Sequence, residues 1–185
     1  MMGSPTTRYW TYDPKRDVIT CIIENGGAIA SALTDLGLVL PEPLTPTATY
    51  VPATELGGLL HIAGQLAYDA DGALPVRGRL GAEVDLEEGR ACAERCALHL
   101  LAQLQAQLGS IDRLERVLKV HVYVACTPDF SEQHIVANGA SDLLASVLGQ
   151  AAPHARSAFG VASLPFGSPV EVDAVIGVTA GLALR

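Results

Sequence analysis

Two segments of the chain repeat hydrophobic residues at helical spacing. The first, residues 85–108, places leucine and alanine on one face and is followed by Gly109, a residue type that commonly ends helices. The second runs from about Ser131 to Leu148 and is followed by Gly149. Each pattern predicts a helix that packs by one apolar face, formed by Leu86, Ala93, Ala97, Leu100, Leu101, Leu104 and Leu108 in the first helix and by Val136, Ala140, Leu143, Leu144 and Val147 in the second.

Four further segments have the apolar alternation of β-strands, namely residues 59–68, 117–126, 157–165 and 170–178. The sequence "DADG" predicts a turn after the first of them, and residues 166–169 predict a turn between the last two. Two long helices can cover only one face of the resulting sheet. The pattern therefore predicts an α+β fold whose sheet has a second, uncovered face.

Alternation along the strands assigns residues to these two faces. The covered face is predicted to carry Leu60, Ile62, Leu66, Val120, Val122, Val124, Val170, Val172 and Ala174. The other face is predicted to carry a mixture of small apolar, aromatic and charged residues, namely His61, Ala63, Gln65, His121, Tyr123, Glu171 and Asp173. Such a mixed face is either wetted by solvent or closed against another subunit, and the interleaved small apolar residues favour closure. An oligomer is predicted on this basis.

The first 26 residues differ from the remainder and are predicted to form an N-terminal extension with one β-like run, Val18–Ile23. A single domain is predicted from residue 27 to residue 185. It begins with a short helix over residues 28–38 that ends at Gly37. Residues 39–48 contain three prolines and are predicted to be an extended linker.

Composition limits the possible partners. The chain has 185 residues, of which 49% are hydrophobic and 17% charged, as expected for one folded domain. Its net charge of -8 argues against a nucleic-acid partner, because phosphate binding requires clustered lysine and arginine. No stretch is long enough for a membrane span, and no export signal or disulfide spacing is evident, so we expect a cytoplasmic protein with reduced cysteines.

The motifs of several enzyme classes are missing from the sequence. It contains no phosphate-binding glycine loop, no His-Glu-x-x-His and no Gly-x-Ser-x-Gly elbow. Cys92, Cys96 and His99 share one ridge of the first long helix, which is compatible with a metal site or with packing beside the apolar stripe. Packing is favoured because buried cysteines usually act as small hydrophobic residues.

Two charged features have both a structural and a functional interpretation. Glu171 and Asp173 share a sheet face, either as a solvated pair or with one carboxylate placed to activate water. Arg156 either neutralises the end of the preceding helix or binds a small carboxylate through two parallel hydrogen bonds. Because Gly149 ends that helix several residues earlier, the second interpretation of Arg156 is favoured.

Four segments carry a family resemblance: "HIAGQLAYDADGAL", "LERVLKVHVYVACTPDF", "HARSAFGVASLP" and "VEVDAVIGV". In this order and spacing they resemble the YjgF/RidA family of imine and enamine deaminases, also described as L-PSP endoribonucleases. The resemblance covers about residues 48–180. The longer lead-in before it is similar to a longer subgroup of the family.

The resemblance implies a chorismate-mutase-like mixed sheet with two long helices on one face. Three subunits would form a trimeric barrel with sites in the clefts between neighbours. The implied reaction is hydrolysis of 2-imino acids to 2-oxo acids and ammonia, with no metal and no cofactor. Membrane and nucleic-acid partners are not implied.

The same resemblance implies roles for five residues. Arg156 would clamp the substrate carboxylate, Glu171 would hold the attacking water and Tyr50 would border the pocket. Asn138 matches a family asparagine, and the Ala158 carbonyl would contact the imine nitrogen. On this basis we expect Arg156 to lie about one strand from Glu171.

Two departures from the family pattern leave the reaction open. Ala158 stands where many members have cysteine, and Ala63 stands where many have serine. A larger or more apolar substrate is one interpretation of these changes. The alternatives are a pathway-specific enzyme, acting by aminomuconate-type deamination or by cyclisation, and a non-catalytic trimer that binds small carboxylates.

Overall fold

The N-terminal segment contains a two-stranded antiparallel sheet. The computed structural model describes residues 8–13, 18–23, 26–46, 48–109 and 111–179. Strand β1 (Arg8–Asp13) pairs with strand β2 (Val18–Ile23), and Arg8 lies opposite Ile23. The predicted β-like run is thus confirmed as β2, whereas β1 was not predicted. The boundary predicted after residue 26 stays a prediction.

The main sheet has five strands in the order β3-β4-β7-β5-β6. These strands are β3 (Ala53–Leu56), β4 (Leu59–Leu66), β5 (Leu114–Ala125), β6 (Ala155–Val161) and β7 (Val170–Val178). Strands β5 and β6 are parallel and the other pairs are antiparallel. The four predicted strands are confirmed. Strand β3 was not predicted, and it joins β4 through Gly57 and Gly58, both at positive φ.

The described residues form four α-helices: α1 (Gly26–Asp35), α2 (Leu86–Leu108), α3 (Gln133–Val136) and α4 (Asn138–Leu148). Helix α2 begins with a capping box between Asp85 and Glu88 and ends at Gly109, as predicted. The second predicted helix is divided into α3 and α4 by a turn at Ala137. No helix in the described part of the chain combines the length and apolar character needed to span a membrane.

The hydrophobic core lies between α2, α4 and one face of the sheet. The valines of β5 and β7 that were predicted to face the helices are fully buried there, together with Leu100, Leu101 and Leu104 of α2. Burial of each such leucine contributes about 1.5–3 kcal/mol to the hydrophobic stabilisation. The mixed α+β sheet with two long helices on one face is thus confirmed.

One part of the face assignment was wrong because strand β4 contains a β-bulge. Ile62 lies opposite Ala174, but the next pair is Gln65 with Val172, so two residues of β4 oppose Asp173. The extra residue reverses the facing of the positions that follow. Gln65 therefore shares the face of Val172, whereas Leu66 shares the face of Glu171.

The three residues considered for a metal site lie in the packed interior. Cys92 and Cys96 belong to the hydrophobic core, and the Cys96 thiol donates to the Val170 carbonyl at 3.5 Å. His99 is 3% exposed, and its Nε2 lies 3.2 Å from the Tyr68 carbonyl. Within the described residues, no group of three His, Cys, Asp or Glu side chains is arranged to hold a metal ion.

Gly139 permits close contact between α2 and α4. A Cβ atom at this position would lie 2.1 Å from the Arg90 carbonyl oxygen of α2, a backbone atom that cannot move aside alone. We therefore expect Gly139→Ala to lower the free energy of unfolding by about 1–3 kcal/mol. Thermal and urea unfolding measure the effect. Ser146→Ala, on the exposed side of the same helix, should change it by less than about 0.5 kcal/mol, and equal effects would contradict the assignment.

Candidate functional site

A pocket of about 460 Å³ opens beside the start of β7. Glu171 and Tyr50, two of the predicted site residues, both line it. Its remaining walls come from the proline-rich segment before β3, from the bulged part of β4 and the turn after it, from Gln103, and from the turn that precedes β7. Its volume lies within the range of small-molecule sites.

The proline-rich segment forms one wall because two hydrogen bonds hold it against the domain. Gln103 of α2, which is 2% exposed, donates from Nε2 to the Leu44 carbonyl at 2.7 Å. The Pro52 carbonyl accepts from the Ala63 amide at 2.9 Å. Residues 39–46 are outside helices and strands, as predicted for residues 39–48, and the extended conformation of this segment stays a prediction.

The Glu171 carboxylate is enclosed at the bulge in β4. A Cβ atom built on Gly64 would lie 1.7 Å from Glu171 Oε1, so only glycine leaves room for the carboxylate where it stands. Burial raises the pKa of the Glu171 carboxyl above its ordinary value, and the negative charge of Asp173 raises this pKa further. A partly buried carboxylate with a raised pKa is suited to act as a general base.

Asp173 belongs to a hydrogen-bonded group on the face of the sheet that the helices leave open. Its two carboxylate oxygens lie 2.7 Å from His121 Nδ1 and 2.9 Å from the donating Tyr123 hydroxyl. Burial, followed by the hydrogen bond to Asp173, raises the pKa of Tyr123 to about 12. Phe159 of β6 stacks on both rings, with centroids 6.2 and 5.9 Å away. The predicted mixture of polar and aromatic residues on this face is thus present.

Arg156 is held by acceptors from α3 and α4. Its Nη1 donates to Asn138 Oδ1 and to Ser141 Oγ, both at 2.9 Å, and its Nη2 donates to the His134 carbonyl at 3.0 Å. All three acceptors are neutral, and no described residue accepts from Nε. The guanidinium is therefore oriented but keeps its charge and has donor capacity for an anion.

A chain of hydrogen bonds orients Ser141 beneath Arg156. His154 Nδ1 lies 2.7 Å from the Ala152 carbonyl, which only accepts, so this nitrogen carries a proton. In the neutral ring, Nε2 then accepts from the Ser141 hydroxyl at 3.1 Å. Because the hydroxyl proton of Ser141 is donated to His154, the lone pairs of Ser141 Oγ accept the hydrogen bond from Arg156.

The predicted site residues fall into two groups that one chain does not bring together. Asn138 contacts Arg156, and Ala158 follows on the same side of β6, whereas Tyr50 and Glu171 line the pocket. The register pairs Arg156 with buried Val120, which directs Arg156 to the helical face, while Glu171 pairs with Tyr123 on the open face.

Within one chain, Arg156 and Glu171 are further apart than the one strand expected at a trimer cleft, and the separation between copies stays a prediction. Strand β5 lies between β6 and β7, so Arg156 and Glu171 are two strand spacings apart, or about 10 Å. They are also offset by three residues along β5, which brings the Cα separation to about 14 Å.

Several pocket residues were not predicted from the sequence. Gln103 was hidden within the helical pattern, and the role of Gly64 depends on a contact with another strand. Phe166 lies within the predicted turn 166–169, but nothing local indicated that its ring reaches the pocket. The run of prolines was the only local sign that residues 44–52 form a distinct surface.

The chain is similar to several known proteins. The family model described as Endoribonuclease L-PSP matches residues 41–178. Protein TCP17 of Trypanosoma cruzi is 47% identical over 151 residues, which cover 81% of this chain and 94% of that protein. The structure of Atu1372 from Agrobacterium tumefaciens is 43% identical, covers 83% of this chain and 94% of that one, and superposes with a TM-score of 0.77. RidA from the Antarctic bacterium Psychrobacter is 26% identical, covers 76% and 96%, and has a TM-score of 0.52.

Replacement of Gly64 tests the enclosure of Glu171. In Gly64→Ala the new methyl group displaces the carboxylate, which is the end of a flexible side chain, so the fold should survive. Displacement toward solvent should lower the pKa of Glu171 toward its ordinary value, as measured by carbon-detected NMR titration. Gly177→Ala, where the nearest atom is 3.6 Å away, is the matched control on β7. An unchanged Glu171 pKa in Gly64→Ala would contradict the geometry.

The raised pKa of Glu171 also has a consequence for stability. A carboxyl whose pKa is higher in the folded protein favours folding most when protonated, and this contribution is lost as the pH rises through the folded-state pKa. We expect Glu171→Gln to raise the Tm at pH 7. The difference should disappear as the pH falls below the ordinary glutamate pKa of about 4.3, where both states are protonated. Exposed Glu115→Gln serves as the control, and a lower Tm for Glu171→Gln at pH 7 would refute the prediction.

Proposed function

Because the chain belongs to the endoribonuclease L-PSP family, also called the YjgF/RidA family, we propose that it hydrolyses reactive 2-imino acids and their enamine tautomers to 2-oxo acids and ammonia. The observation that carries this proposal is a pair of complementary groups. One is the enclosed Glu171 carboxylate with a raised pKa, and the other is the oriented Arg156 guanidinium, which has no carboxylate partner among the described residues. Residues 27–185 would form the single domain that carries both.

The active site is proposed to lie between two copies of the chain in a homotrimer. In a 2-imino acid the carboxylate is bonded directly to the imine carbon, so one molecule cannot span two groups on opposite faces of a sheet. A neighbouring copy would bring its Arg156 to the mouth of the Glu171 pocket. The unpaired edge of β6 and its exposed Phe159 support such a contact, because an uncovered apolar edge strand invites pairing.

The reaction needs positioning and one proton acceptor. Arg156 would bind the substrate carboxylate, and the protonated imine carbon is already electrophilic. Glu171 would take a proton from water as the water oxygen bonds to that carbon, and would return the proton to nitrogen. The carbon–nitrogen bond then breaks, ammonia leaves and the hydroxyl proton is lost to give the 2-oxo acid.

The other predicted residues have supporting roles in this proposal. Asn138 positions Arg156 through its Oδ1, and the Ala158 carbonyl is offered to the imine nitrogen. Tyr50 borders the substrate in the pocket. The chemistry proposed here uses no metal and no cofactor.

Cleavage of RNA is disfavoured, although the family description includes an endoribonuclease. The net charge is -8, and no lysine, arginine or histidine is among the described residues that line the pocket. Binding of the RNA phosphate backbone requires several lysine or arginine side chains, so this pocket is not suited to RNA.

Mixed oligomers of two inactive variants test the shared site. Arg156→Ala and Glu171→Ala should each lower kcat/KM for in situ 2-iminobutyrate by about 100-fold or more. Co-expression with two affinity tags, followed by purification on both, should restore about one site in three, because every trimer that contains both variants has one interface that pairs an intact Arg156 with an intact Glu171. The measurement is the initial rate of 2-oxobutyrate release from doubly tagged oligomers.

Singly tagged oligomers of either variant serve as controls and should stay inactive. Activity would not be restored in the mixed oligomers if Arg156 and Glu171 of the same chain formed the active site. Calorimetry should also be used to measure binding of 2-oxobutyrate to the wild-type protein. If the protein binds this 2-oxo acid but does not accelerate imine hydrolysis, it is a carboxylate-binding protein and not a deaminase. Ribonuclease activity that is lost in Glu171→Ala would contradict the proposed substrate class.

A further inference from the structure

The pocket beside Glu171 is much larger and more apolar than the reacting atoms of an imino acid require. Its volume is about 460 Å³. Its walls are mainly aromatic rings, prolines and leucines, including Leu44, Pro46, Leu66, Tyr68 and Phe166. In the proposed reaction, the carboxylate, the imine and the water would occupy only the part next to Glu171. The remaining space is suited to an apolar group attached to the same molecule.

Phe166 is held at the rim of this pocket in an unusual conformation. Its φ is 56° and its ψ is 12°, and it is the one residue other than glycine with a positive φ in the part of the chain described. Side chains with a Cβ atom rarely adopt this region, so the surroundings must impose it. The Arg77 side chain donates to the Phe166 carbonyl at 3.2 Å, and the Gly78 amide donates to the Gly167 carbonyl at 3.0 Å.

The conformation presents the Phe166 ring to the pocket instead of burying it in the core. The ring lines the pocket and is still 56% exposed. A strained aromatic residue that is fixed in place but only half covered has surface available for a ligand. Tyr50, 53% exposed, lines the same pocket and offers a similar surface.

We propose that the substrates are 2-imino acids with a bulky apolar side chain, branched aliphatic or aromatic, and that Phe166 is a specificity-determining residue that contacts this side chain. This assignment rests on the proposed deaminase function. An acidic side chain would meet the negative charge of Glu171, and the described lining residues include no cation. Arg77, at the rim, donates to the Phe166 carbonyl. A methyl side chain would leave most of the pocket filled with water.

The increase in kcat/KM expected when an apolar side chain fills the pocket can be estimated. Each additional methylene group in an apolar pocket changes kcat/KM by about 10-fold or more. The imines of leucine and phenylalanine should therefore be hydrolysed with kcat/KM values at least about 10-fold above that of the alanine imine. The imine of glutamate should rank with or below that of alanine.

The experiment compares these four imines, generated in situ by amino-acid oxidases with catalase and trapped competitively by semicarbazide. Phe166→Ala should lower kcat/KM for the leucine and phenylalanine imines by about 10-fold and change that of the alanine imine by less than about twofold. Phe166→Gly, which adopts positive φ without strain, should give the same selective loss if the ring matters and its backbone conformation does not. Leu56→Ala removes an 86% exposed apolar side chain outside the pocket and should leave all rates unchanged.

The outcomes separate this assignment from the deaminase function. The assignment would be overturned, and the deaminase function left intact, by either of two results. One is comparable kcat/KM values for all four imines. The other is that both Phe166 variants keep the wild-type ratio of kcat/KM between the leucine or phenylalanine imine and the alanine imine. Calorimetry with the 2-oxo acid products gives a readout that does not need turnover. Tighter binding of 4-methyl-2-oxopentanoate than of pyruvate, reduced in Phe166→Ala, supports the assignment, and equal binding overturns it. No hydrolysis of any imine would contradict the deaminase function itself.

Discussion

The alternation of side chains along the central strand β7 determines both the core and the candidate site. Val170, Val172 and Ala174 are buried under the helices, so Glu171 and Asp173 must lie on the opposite face. A change in the register of β7 would exchange these two sets and bury two carboxylates in the core. The hydrophobic effect that stabilises the fold therefore also places the acidic residues where a ligand can reach them.

Local sequence patterns predicted most of the fold because helices and buried strands have simple periods. The apolar stripe of α2, its glycine end and the valine alternation in β5 and β7 required no knowledge of the tertiary structure. The bulge in β4 has no such period, since it depends on how β4 meets β7. A single extra residue there was enough to reverse the predicted facing of Gln65 and Leu66.

The candidate site was predicted only in part, and for a physical reason. Residue type and position favoured a binding role for Arg156, and the family resemblance indicated Glu171, but their separation depends on the strand order, which places β5 between them. The pocket depends on long-range contacts such as that of Gln103 with the Leu44 carbonyl, and on the imposed backbone of Phe166. No short sequence pattern determines contacts of this kind.

If Arg156 binds the substrate as proposed, its neutral surroundings would select ligands by their number of charges. Asn138, Ser141 and the His134 carbonyl orient the guanidinium without cancelling its charge, so it remains a local positive site. The chain as a whole carries a net charge of -8, which produces a repulsive potential for anions at longer range. At the proposed site, a monovalent carboxylate would meet little of this repulsion and would gain the local attraction of the guanidinium. A polyanion would be repelled along its whole length.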